Sequence, residues 1–164
     1  MTNRKEKLLL RYCGTSDPDE FHIVRAAQFI HEMDSPDRQL ISKHQNRVRE
    51  PHRHYLPSRA KKGAGLMWLK LFADYPGDKC LIFPFRTAYS PRGTVTYNFK
   101  PMEAHRAMCM HVHKLPPEDK TMALHSCGNG HLGCVNPNHL YWGNHSDNVK
   151  DGHRHAKEGR HQAA

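Results

Sequence analysis

The sequence predicts a small α+β domain whose C-terminal part is a finger stapled by a metal ion. Three observations carry that expectation. The chain has 164 residues, only 37% of them hydrophobic, and a mean hydropathy of −0.83. That suits one compact domain with a modest core, which gains from a staple. Helical and extended stretches are both present and both short. Cysteine, histidine, glycine and asparagine also crowd between residues 125 and 148 at metal-site spacing.

From the N-terminus, Phe21, Val24, Phe29 and Ile30 give Glu20 to Met33 partial helical spacing, and Asp17-Pro18 leads into it. Between Arg38 and Lys62, eight Lys or Arg face one acid, Glu50, and Pro51 and Pro57 interrupt any periodicity. This stretch reads as a basic linker or arm, either solvated or lying along phosphates. Residues 1–63 are therefore expected to form a basic N-terminal extension with a helix and linker, and residues 64–164 the main domain. A short helix is predicted over Ala64–Tyr75, followed by a Tyr75-Pro76-Gly77-Asp78 turn. Cys80–Phe85 reads as a strand with Gly93–Tyr97 as its hairpin partner. Ala104–His113 fits a helix stopped before Pro116-Pro117, and Thr121–His125 a short strand.

The formal net charge is +9 with fifteen histidines uncounted, and the pI is near 9.5. Such a balance favours a polyanion partner, although charge alone leaves mere solubility as an equal reading. No apolar run approaches the ~20 residues needed to span a bilayer. The basic start MTNRKEKLLLRYCG carries only three consecutive leucines, too few for a signal-peptide core. A soluble, cytoplasmic protein is expected. Five cysteines, an odd number, in such a compartment argue for metal or plain thiols over disulfides.

The chemistry concentrates in HSCGNGHLGCVNPNHLYWGNHSDN, residues 125–148. Cys127 and Cys134 flank a glycine-rich loop that can fold both thiolates onto one ion. Val135-Asn136-Pro137-Asn138 then turns the chain so that His139 can close on it. A structural zinc takes four ligands, and Cys80 and Cys109 are the available thiols. Free cysteines and a surface histidine are the bland alternative. Asn144 and Asp147 fit a capping box at the start of a helix that continues through Lys150–Arg160, which would fix where Asn148 points.

This segment resembles the HNH endonucleases of the His-Me finger superfamily, in the zinc-binding-loop branch found in homing endonucleases. The likeness is carried by His125-Ser126-Cys127, by Cys134-Val135-Asn136-Pro137-Asn138-His139-Leu140, and by Asp147-Asn148. Upstream, Cys80–Phe85 looks like the family's strand ending in Trp-Pro, and Ala104–Cys109 like its helix before the finger. The resemblance spans about residues 66–160 and leaves 1–63 uncovered. It implies a ββα-metal core with a short antiparallel sheet and flanking helices, making 64–164 a nuclease domain. It implies His125 as general base and Asn148 as ligand of a catalytic divalent ion, magnesium or another. Cys127, Cys134 and His139 take the structural zinc positions, with Cys80 as the fourth ligand and Cys109 its rival. Arg92 and Arg106 are candidates for the scissile phosphate, against the simpler reading of surface arginines. His145, His153, His155 and His161 read as solvated or phosphate-facing.

Asn144, Phe83 and Lys114 stand where the family often has threonine, tryptophan and glycine. The implied activity is hydrolysis of double-stranded DNA, leaving a 3′ hydroxyl and a 5′ phosphate, in a phage or mobile-element homing setting and in the host cytoplasm if phage-encoded. A homodimer is compatible with this. The rival readings are a zinc-stabilised DNA-binding module without catalysis, and a less specific nuclease.

Overall fold

The computed structural model describes residues 9–15, 18–34, 63–87 and 89–159. The basic stretch from Arg38 to Lys62, with His161, lies outside the described residues. The elements run α1 (Glu20–Asp34), α2 (Ala64–Leu71), β1 (Thr94–Tyr97), β2 (Lys100–Glu103), α3 (Ala104–His113), β3 (Met122–His125), β4 (Leu140–Gly143) and α4 (His145–Lys157). β1 pairs with β2 and β3 with β4, giving two small antiparallel sheets in an α+β fold.

The core is aromatic. Trp68 of α2 stacks on Phe72 at 4.2 Å between ring centroids and meets Phe83 edge-on at 5.8 Å. Its indole N–H donates to the Tyr12 carbonyl at 2.7 Å, as a buried tryptophan requires. Ala107, Met108 and Cys109 of α3 complete this core, together with Leu140 and Trp142 of β4. Full burial of each large apolar side chain is worth roughly 1.5–3 kcal/mol.

Phe29 of α1 is buried in the same core, and Phe21 packs against Phe72 and Tyr75. α1 thus packs on the same core as α2. The amphipathic face of α1 needs a partner to bury it, and α2 supplies one.

Two expected elements differ. The second helix ends at Leu71, not Tyr75, because the chain turns at Phe72. Cys80–Phe85 is not a strand paired with Gly93–Tyr97. β1 pairs instead with β2 next to it in sequence, in the register Tyr97↔Lys100. The 80–85 segment is an extended strap across the cysteine loop. Phe83 N–H donates to the Gly133 carbonyl at 2.9 Å, and Val135 N–H to the Leu81 carbonyl at 2.7 Å. Ile82 bridges Cys134. This strap carries Cys80 to the loop.

α3 spans the predicted residues, and Lys114 follows it with φ 65°. That is a positive φ that glycine enters freely and other residues rarely adopt. α4 opens with the predicted capping box. The Asn144 side chain accepts from Asp147 N–H at 3.0 Å, and the Asp147 carboxylate accepts from Asn144 N–H at 3.1 Å.

Candidate metal centre and adjoining cleft

Cys80, Cys127, Cys134 and His139 converge from the strap, from both ends of the glycine loop and from the turn before β4. Their ligand atoms all lie within 4.8 Å of one another. His139 Nδ1 is 3.5 Å from Cys134 Sγ and 3.8 Å from Cys80 Sγ. Three thiols and an imidazole at this separation are the donor set of a tetrahedral zinc site, and the group could hold a metal such as zinc.

The surroundings fit an ion as well. Asn129 donates its side-chain amide to Cys80 Sγ at 3.1 Å and its backbone N–H to Cys127 Sγ at 3.4 Å. His139 Nε2 donates to the Asp78 carboxylate at 3.1 Å, the outer contact that fixes which nitrogen of a ligating histidine faces the metal. In the metal-free chain, thiol hydrogen bonds from Cys127 and Cys134 hold Cys80 far below its ordinary pKa. Hydrogen bonds to Cys127 and Cys80 push His139 up to about 10. One thiolate, at Cys80, is thus favoured, while hydrogen bonds to Cys127 and Cys80 push Cys134 far above its ordinary pKa; a cation bound to the group would displace the remaining protons on the thiols and the imidazole.

Cys109 is not part of the group. It is buried on the inner face of α3, and burial pushes its thiol up to about 12. Its apolar surroundings make it a small hydrophobe. Asn136 anchors the turn carrying His139. Fully buried, it donates to the Gly77 and Lys79 carbonyls at 3.0 and 2.7 Å and accepts from Asn138 N–H at 2.9 Å.

Beside the metal group lies a cleft of about 450 Å³, lined among others by Arg92, His105, His125, Gly130, His131 and Asn148. His125 ends β3 and Asn148 sits in the first turns of α4, so the antiparallel pair and the helix after it bring the two together across 23 residues of sequence. His125 Nε2 lies 2.9 Å from the Cys134 carbonyl. A carbonyl only accepts, so Nε2 carries the proton and Nδ1 keeps its lone pair. A Cβ on Gly130 would sit 2.7 Å from that Nδ1, so the glycine keeps space open at the unprotonated nitrogen. Burial depresses the pKa of His125, the Cys134 hydrogen bond opposes this, and the Arg92 charge adds to the depression. The ring is neutral at pH 7.

Arg92 is half exposed at the cleft, 3.7 Å from Glu103. Arg106 does not reach it. Its guanidinium donates to the Thr121 carbonyl at 2.6 Å and covers the Trp142 ring at 5.2 Å. Successive helix residues point about 100° apart, so with its neighbour turned into the cleft Arg106 faces the second sheet.

That neighbour, His105, was not singled out from sequence. It is buried, with its ring centroid 5.0 Å from that of His125. Burial, then His125 once it is itself protonated, and the charges of Arg92 and Arg106 lower its pKa to about 3. The available signal was its position one helical turn before Cys109 on the apolar face of α3. His155 is also buried, and its Nε2 donates to the Ser126 carbonyl at 2.9 Å, tying α4 to the loop. His145 and His153 are exposed.

Compared with protein-family models, with curated proteins and with solved structures, the chain matches none. Among the described residues no helix is long and apolar enough to cross a membrane.

Proposed function

We propose that this protein is a metal-dependent DNA endonuclease of the HNH type. The observation that carries the reading is the joint position of His125 and Asn148 on one cleft, with the histidine tautomer fixed by the Cys134 carbonyl. β3, β4 and α4 follow one another in the order that the likeness to HNH enzymes calls for.

The residues suit phosphodiester hydrolysis. His125 Nδ1 takes a proton from the attacking water, and the imidazolium so formed is stabilised through Nε2–H on the Cys134 carbonyl. Arg92 supplies positive charge for the phosphate, and Glu103 steadies its guanidinium. Asn148 would hold a divalent ion such as magnesium, whose chemistry is charge relief at the cleaved phosphate and leaving oxygen. Its neutral amide oxygen leaves the charge of such an ion undiminished. A zinc ion in the Cys3His group would keep the loop, and through Cys134 the histidine, in place. The net charge of +9 suits a duplex substrate.

The test is incubation of the purified protein with plasmid and genomic DNA, with and without magnesium, followed by mapping of the ends. Cleavage that needs the divalent ion, leaves 5′ phosphates and is lost in His125→Ala supports the reading. Binding without cleavage under any divalent ion replaces it with a zinc-stabilised DNA-binding module.

A further inference from the structure

The β1–β2 hairpin is joined by two residues, Asn98 and Phe99, with φ of 47° and 62°. Positive φ at both central positions marks a type I′ turn, in which glycine normally takes the second place because a side chain there is strained. Here the second place holds a phenylalanine that is fully exposed. An exposed apolar ring is ordinary by itself, but here its backbone also carries strain, and strain at an exposed position points to a use for the side chain.

The hairpin's surroundings identify the contact. Its first strand begins two residues after Arg92, and its second ends at Glu103, two residues before His105. Arg92 and His105 line the cleft, so the hairpin is rooted there. Val95 and Met102 form a cross-strand pair packed on the core, Thr94, Thr96 and Pro101 lie on the opposite, exposed face, and Lys100 is exposed at the end of the hairpin next to the turn. Four residues of strand carry the tip about 13 Å from its root, or roughly four base-pair steps of a duplex at about 3.4 Å each. Lys100 beside the ring adds a charge for the phosphates. Tyr89, the other fully exposed aromatic among the described residues, lies just before the hairpin.

We propose that Phe99 is a wedge that inserts between base pairs of duplex DNA to one side of the cleft, bending the substrate against the protein. Apolar wedges of this kind partly unstack a step and kink the helix. The inference rests on the nuclease reading for its substrate but not on its chemistry.

The test uses full-length, metal-loaded protein in a His125→Ala background, so that binding is read without cutting. A short mixed-sequence duplex labelled at both ends reports affinity by anisotropy and bending by energy transfer. Phe99→Gly relieves the turn and should leave the melting temperature unchanged or raise it. It should nevertheless weaken binding about tenfold, in line with loss of one aromatic–base stack, and abolish the bend. Phe99→Trp should keep both. Equal affinity and bending for Phe99→Gly overturn the wedge alone. A change in self-association with no change in DNA binding also overturns it and assigns the ring to a second copy of the chain. A parent protein that fails to bind the duplex even at low salt overturns the nuclease reading together with the wedge.

Discussion

The aromatic half of the molecule and its finger are held together by different chemistry. Around α1 and α2 the contacts are rings on rings, with Trp68, Phe72, Phe83 and Phe29 buried together. In the finger, from β3 to the end of α4, the buried side chains include Asn136, His139, Asp151 and His155. There the contacts are hydrogen bonds, with Tyr141 donating to Asp151 and His155 to Ser126, and a Cys3His group that could hold a metal. Nondirectional burial tolerates small shifts, whereas donor–acceptor contacts fix orientation. A chain short of apolar residues thus gains a rigid site at one end, on the condition that the donors are occupied.

The sharpest way to break the comparison is to remove the metal. Zinc binding contributes free energy on the order of 10 kcal/mol in small zinc-dependent folds. Chelation, or Cys134→Ser, should unfold the finger while leaving the aromatic half largely packed. The two tryptophans report on different parts of the shared core, since Trp68 sits in α2 and Trp142 in β4, where the finger joins that core. In Trp68→Phe protein the fluorescence of Trp142 should change on chelation; in Trp142→Phe protein that of Trp68 should change far less. Simultaneous loss of both signals would make the metal a staple for the whole molecule. Cys109→Ser should keep a full zinc content, measured by elemental analysis, and Cys80→Ser should lose it.

Next in size is the effect on the proposed cleavage. His125→Ala should lower cleavage by about 10²–10⁴-fold, the usual worth of a positioned base, with zinc content and DNA affinity kept. Asn148→Ala should also reduce cleavage, but with partial recovery at raised magnesium or manganese, which His125→Ala should not show. Cleavage assays across a metal titration distinguish them. Equal rescue of both variants would place the two side chains in the same role.

The two halves also differed in how far their sequence could be read. The capping box at Asn144 and Asp147 is a local spacing rule, and it appears as expected. So do α3 and the joining of Cys127, Cys134 and His139, because each is decided within a dozen residues. The strap at 80–85 was misassigned because its partner, residues 133–135, lies about fifty residues away, with no local signal naming it. As a strand it was expected to form a hairpin with Gly93–Tyr97, but that run closes on Lys100–Glu103, where Pro101 and the exposed side chains hide the strand pattern. The same non-local pairing is what selects Cys80 over Cys109. Arg106 and His105 are adjacent in sequence, and only the rotation of α3 decides which of them meets the cleft.

His105 gives a smaller, pH-dependent effect. Its folded pKa, about 3, lies below the ordinary histidine value of 6.5. Between those values the unfolded chain binds more protons than the folded one, so stability is full above about pH 6.5 and falls as pH drops. The loss is up to about 1.4 kcal/mol per pH unit. His105→Gln removes that titration. Denaturant unfolding between pH 6.5 and 5.5, with zinc retention checked at each point, should therefore show a shallower pH slope for the variant. Identical slopes would mean that His105 is protonated in the folded protein and paired with Glu103, its neighbour at 3.6 Å.

The smallest effect sharpens the link between the finger's polar contacts and its site. Asn144→Ala removes one hydrogen bond of the capping box and should cost about 1 kcal/mol of stability, a minor change in a folded protein. Its effect on cleavage should be larger than that figure suggests. Asn148 N–H donates to the Asn144 carbonyl at 3.1 Å, so the first turn of α4 that carries Asn148 is set directly by the cap. Fraying of that turn leaves His125 untouched, because the Cys134 carbonyl holds it independently. The variant should therefore need more of the divalent ion, with cleavage approaching that of the parent at high magnesium, and Asn144→Ser should restore both cap and metal response. A rate loss that magnesium does not repair would mean that the cap acts on the base or the fold as a whole.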